Sequence, residues 1–114
     1  MSRPVLSTHV LDTSTGTPAA GVFVELYKKT KQGTWISWHS TMTTSDGRIQ
    51  FPFSNDSMSG GTYKLLFKVG DYYKMIDKET IYPVVEITFN TKDDQHYHIP
   101  LLLSPYGYST YRGS

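Results

Sequence analysis

Four histidines, at positions 9, 39, 96 and 98, and an arginine at 48 are the residues of this chain whose types suit chemistry. An imidazole is the one side chain whose ordinary pKa favours proton transfer near neutral pH. His96 and His98 stand two apart, so on a strand they face the same side, with Pro100 continuing the row. His9 shares a row with Ser7, opposite the apolar row of Leu6, Thr8 and Val10. Arg48 follows an Asp46-Gly47 turn and opens a strand, a position near a sheet rim where a planar fork of donors can hold a carboxylate or a developing oxyanion. Each has a plainer reading. His39, between Trp38 and Ser40, reads as an ordinary strand residue, His96 as a surface residue, Asp46 as a turn residue, and Arg48 as the partner of an acidic neighbour. The His-x-His pair with His9 also meets the minimum of three ligands that zinc asks for, but no spacing supports a metal, and none is expected. Nothing resembles a nucleophile elbow or a Gly-rich phosphate loop.

The elements that must position these groups are strands. Alternation predicts strands over Val5 to Val10, Gly21 to Lys29, Trp35 to Thr43, Arg48 to Phe53, Thr62 to Val69, Tyr82 to Asn90, His96 to Leu103 and Tyr108 to Arg112. The inward rows are Val22, Val24 and Leu26; Tyr63, Leu65 and Phe67; Val85, Ile87 and Phe89; and Tyr97, Ile99 and Leu101. Asp12 to Ala20, rich in Thr, Ser, Gly and Pro, reads as a turn, and Asn55 to Gly61 as a polar loop. One short helix is expected, capped by Asp71 and presenting Tyr72, Met75 and Ile76. Two packed antiparallel sheets follow, an all-β sandwich. The tail carries Tyr106, Tyr108 and Tyr111 almost to the chain end, which predicts that it is tied to the core or to a neighbouring subunit.

The bulk numbers bound the rest. With 114 residues the chain fits a single domain, 1–114, with a thin core that self-association would extend. Lysine plus arginine number 11 against 10 aspartates and glutamates, and the basic residues are scattered apart from Lys28, Lys29 and Lys31, a run that reads as a solvated strand end. No nucleic acid and no membrane is therefore expected as a partner. The absence of cysteine rules out disulfide and thiolate chemistry. The opening residues lack the apolar core of a signal peptide, and a cytoplasmic location is expected. A peroxisomal one is the alternative, although the final Arg-Gly-Ser is not a Ser-Lys-Leu type address.

Three segments carry a resemblance that pattern alone does not reach: Leu6-Ser7-Thr8-His9-Val10-Leu11-Asp12 with Gly16-Thr17-Pro18-Ala19; Asp46-Gly47-Arg48; and His96 to Pro105, running on to the terminal Tyr111-Arg112-Gly113-Ser114. Over essentially its whole length the chain resembles the enzyme branch of the transthyretin-like family, the 5-hydroxyisourate hydrolases. The resemblance implies a transthyretin-like sandwich of two four-stranded antiparallel sheets with one short helix, assembled as a homotetramer with its sites where subunits meet. It implies catalytic roles for His9, Arg48, His98 and Ser114, and substrate binding by His9, Arg48 and Tyr111. The reaction implied is hydrolysis of 5-hydroxyisourate at the N1–C6 bond to 2-oxo-4-hydroxy-4-carboxy-5-ureidoimidazoline, on the way from urate to allantoin, with no cofactor. Either histidine can be the base. The competing readings are a non-catalytic transthyretin-like carrier of small molecules, a purely structural sandwich module and a metal hydrolase on the same fold. The His9, Arg48, His98 set with the terminal tetrapeptide argues for the enzyme.

Overall fold

A computed structural model describes residues 5–54 and 58–113. Among the described residues nine strands and one helix succeed one another: β1 (Leu6–Asp12), β2 (Thr17–Pro18), β3 (Phe23–Lys29), β4 (Trp35–Met42), β5 (Arg48–Gln50), β6 (Gly61–Phe67), α1 (Val69–Met75), β7 (Val85–Thr91), β8 (Tyr97–Ser104) and β9 (Gly107–Thr110). They form the expected sandwich. One sheet runs β4-β3-β6-β7, antiparallel throughout. The other runs β2-β1-β8-β9, with β5 also paired to β1. Two details depart from a pair of four-stranded antiparallel sheets. β1 and β8 run parallel, and a two-residue β2 lies inside the segment read as a turn, pairing Leu11 with Pro18 and Asp12 with Thr17. Alternation reports which face a side chain takes. It carries no information on strand direction or partner, so neither detail is legible in it.

The inward rows meet between the sheets. Leu6, Val10, Val22, Val24, Leu26, Tyr63, Leu65, Phe67, Leu101 and Leu103 are all fully buried. Each such side chain contributes about 1.5–3 kcal/mol relative to an exposed position. The buried Thr8 Oγ1 is satisfied by donating to the Ile99 carbonyl at 2.6 Å, tying β1 to β8, whereas the buried Tyr73 hydroxyl has no hydrogen-bond partner among the described residues.

The helix differs from its expectation. It is capped at Lys68 without a side-chain bond, while Asp71 sits in its first turn, where a negative charge favours the helix dipole. Val69, Tyr72 and Tyr73 face the core, and Met75 and Ile76 are exposed. Two turns cannot hold themselves in water. The Tyr72 hydroxyl supplies an anchor by donating to the Asp12 Oδ2 at 2.9 Å, from the helix to the end of β1. The lysine run is not simply solvated either, because the Lys28 Nζ lies 5.4 Å from the Trp38 ring centroid and donates to the Ser59 Oγ. Among the described residues no helix is long and apolar enough to cross a membrane.

Candidate active site

The outer face of the mixed sheet collects the chemistry. β1 is its centre. Its inward side chains pack in the core, so Ser7 and His9 must point outward. On one edge β5 pairs Arg48 with His9; on the other β8 pairs His98 with Ser7 and Pro100 with His9. Residues from three distant segments thereby come onto one face.

A glycine makes the Arg48 placement workable. Gly47 has φ +75°, and a Cβ there would come 2.5 Å from the Val10 carbonyl oxygen and 3.1 Å from the Pro18 Cβ. The Val10 amide donates to the Gly47 carbonyl at 2.7 Å, so the 46–47 turn lies flat against β1 and delivers the next residue beside His9.

His98 is held from several sides. The Ser7 Oγ is 2.7 Å from its Nδ1. The Gly113 amide donates to the His98 carbonyl at 2.7 Å, forming an isolated antiparallel bridge that continues the β8–β9 register. A depression of about 190 Å³ opens here, with Ser7, Arg48, Gln50, His96 and His98 in its wall. Burial lowers the pKa of His98, and the Arg48 cation and the neighbouring His9 and His96 lower it further. His9 is lowered for the same first two reasons, burial and then Arg48, against the pull of the Asp46 main chain and carboxylate. Both rings are therefore neutral at pH 7, each with a nitrogen lone pair available.

The other candidates fall unevenly. His96, read from sequence as a surface residue, lies on the wall of the depression and accepts a bond at its carbonyl from the Arg112 Nη2 at 3.0 Å. His39 belongs to the opposite sheet, edge-on to Phe51 and Phe53. Tyr111 is not in the wall. It is 56% exposed, and the register carries it past Pro100, between Thr110 beside Leu101 and Gly113 beside His98. Arg112 turns to stack on the Tyr97 ring, 4.3 Å from its centroid. Ser114 lies outside the described residues. Sequence reading passed over Ser7 and Gln50. Ser7 had a usable signal, since it shares the row of His9. Among the described residues no group of three His, Cys, Asp or Glu side chains is spaced to hold a metal ion.

Comparison with known proteins bears on what such a face is for. A family model described as the HIUase/Transthyretin family matches residues 6–113. A 5-hydroxyisourate hydrolase of Salmonella dublin is 43% identical over 96% of this chain and 81% of its own. One of Mus musculus is 42% identical, covering 96% and 94%. Among solved structures, transthyretin from Sparus aurata superposes with TM-score 0.92 at 28% identity, over 97% of each chain. The 5-hydroxyisourate hydrolase of Klebsiella pneumoniae does so with TM-score 0.82 at 38% identity, over 96% of this chain and 98% of its own. The fold, the sequence match along nearly the whole chain and the likeness to both kinds of relative lead to one conclusion: this protein belongs to the HIUase/transthyretin family.

Proposed function

We propose that the protein hydrolyses 5-hydroxyisourate, opening its six-membered ring at the N1–C6 bond. The observation that carries this reading is the convergence of His9, Arg48 and His98 on one open sheet face, in a chain whose relatives named as that hydrolase are 42–44% identical to it. The reaction asks for a proton to leave water as it attacks the C6 carbonyl, a charge to be held on that oxygen, and a proton to reach the departing nitrogen. A neutral imidazole serves the first need as a base and, once it holds that proton as imidazolium, the third as an acid, and the Arg48 guanidinium serves the second. Tyr111 orients the ring and Ser114 helps to hold water or substrate. A carrier on the same fold would bind the ring and leave it intact.

The depression is shallow for a reaction that profits from excluding water, and Tyr106, Tyr108 and Tyr111 are all exposed along β9 and its ends, at the edge of the same sheet. Both features support a homotetramer in which a second copy covers this face and closes the site.

Turnover in ¹⁸O-labelled water tests the chemistry. Attack at C6 puts one solvent oxygen into the new carboxylate of the product. A product formed at the spontaneous rate, or without label in that carboxylate, would overturn the reading.

A further inference from the structure

His9 and His98 are both imidazoles with lowered pKa values on the same sheet face. The surroundings of His98 separate them. Its ring is clamped on two edges. Nδ1 faces the Ser7 Oγ at 2.7 Å, and Ser7 is only 8% exposed. Cδ2 faces the Gly113 backbone so closely that a Cβ on Gly113 would come 2.5 Å from it. Among the described residues this leaves the Nε2–Cε1 edge to meet the depression that His98 lines.

The hydrogen bond from Ser7 has two senses. If the hydroxyl donates to Nδ1, the proton of the neutral ring sits on Nε2. If it accepts, the proton sits on Nδ1 and Nε2 keeps its lone pair. The charges around the ring choose between them. Arg48 from β5 and His96 from just before β8 line the same depression as His98, with His9 on the intervening β1, so the Arg48 cation stands on the side that the free ring edge meets. From the β9 side Gly113 brings no charge, and Arg112 is turned away onto Tyr97. A lone pair directed toward a cation is favoured over an N–H directed toward it.

We propose that Ser7 is a positioning residue: its Oγ accepts the Nδ1 proton of His98 while Gly113 closes the opposite ring edge, so that Nε2 meets the attacking water as the general base. This rests on the hydrolase reading for its substrate, and on local geometry alone for its tautomer. The step balances. Nε2 takes one proton from water as the oxygen bonds to C6. The C6–N1 bond then breaks, and the same proton passes from Nε2 to N1. The Nδ1 proton stays on its bond to Ser7 throughout. Gly113 is part of the device because any side chain there must displace the ring.

The test has an arm without substrate. ¹⁵N spectra of histidine-labelled protein, with His98 neutral, are expected to report the Nδ1–H form in the unaltered protein and in Ser7→Thr, and to lose it in Ser7→Ala and Gly113→Ala. In kinetics, Ser7→Ala is expected to lower kcat about 10-fold with KM little changed, a part of what general-base catalysis supplies, and Ser7→Thr to restore it. An accepting Ser7 favours the imidazolium, so its loss moves the acid limb of kcat/KM to lower pH; a donating Ser7 would move it higher. An Nε2–H ring in the unaltered protein, an unmoved limb, or an upward shift would overturn the proposal. Should Ser7→Ala not fold, the unaltered protein's spectrum and the Gly113→Ala variant still decide. Failure to hydrolyse 5-hydroxyisourate would sink the hydrolase reading and leave the spectrum to judge Ser7.

Discussion

Arg48 does two things at the residue scale, and they are separable by pH. Burial first and its charge second hold both His9 and His98 below the ordinary imidazole value of 6.5, and Arg48 stands beside His9 on the same sheet. A base must be unprotonated, so kcat/KM is expected to fall only as pH drops through a value below 6.5. Arg48→Gln removes the cation that disfavours imidazolium. Both histidine pKa values then rise, and the acid limb of the pH–rate profile moves up. Activity on the plateau falls by about 10²–10³, the usual loss when one oxyanion donor is removed. A limb that stayed in place would dissociate Arg48 from the histidines. Replacing His98 by Ala is expected to cost about 10²–10⁴ in kcat/KM, read in the same assay. The row shared by Ser7 and His9, and the one shared by His96 and His98, were legible in the sequence because period-two alternation needs only local spacing. The meeting of Ser7 with His98 was not, because it crosses ninety-one positions of chain through a parallel pairing.

At the scale of elements, β1 links the site to the core and the helix. Its last residue, Asp12, is fully buried. Burial pushes that carboxyl up, but bonds from the Ser14 amide and hydroxyl and from the Tyr72 hydroxyl outweigh it, leaving the group below its ordinary value. A depressed native value means that Asp12 stabilises the fold above the ordinary carboxylate pKa of 3.8 and loses this as pH falls through its native value. Tyr72→Phe is expected to cost about 1.5–3 kcal/mol in urea unfolding at pH 7, and less at pH 3. An equal cost at both pH values would contradict the role of the charge. Here the sequence misled in an instructive way. Met75 and Ile76 fit a helical stripe by hydrophobicity, yet tyrosines at 72 and 73 take the core side, because they bring a large apolar body and the former also a hydroxyl for Asp12. Strand ends moved for a simpler reason. Pro52 and Pro83 stand where the expected strands were drawn, and the observed ones stop at Gln50 and begin at Val85.

For the whole molecule, the sandwich was legible because four apolar rows of period two leave few other ways to hide them. The use of its outer face was not, since a solvated face and an unpartnered site share the same polar alternation. The proposed tetramer is tested on the intact protein. Light scattering after size-exclusion chromatography is expected to give four times the 12.9 kDa chain mass, and a fully active monomer would exclude a site completed by a second copy. Hydrolysis of 5-hydroxyisourate by the His9, Arg48 and His98 face is measured by generating that compound in the cuvette with urate oxidase and following its absorbance. The protein is expected to accelerate the decay above the spontaneous rate, and His98→Ala at equal concentration is expected not to. Decay at the spontaneous rate with the folded protein present, or undiminished acceleration by the His98→Ala variant, would contradict it.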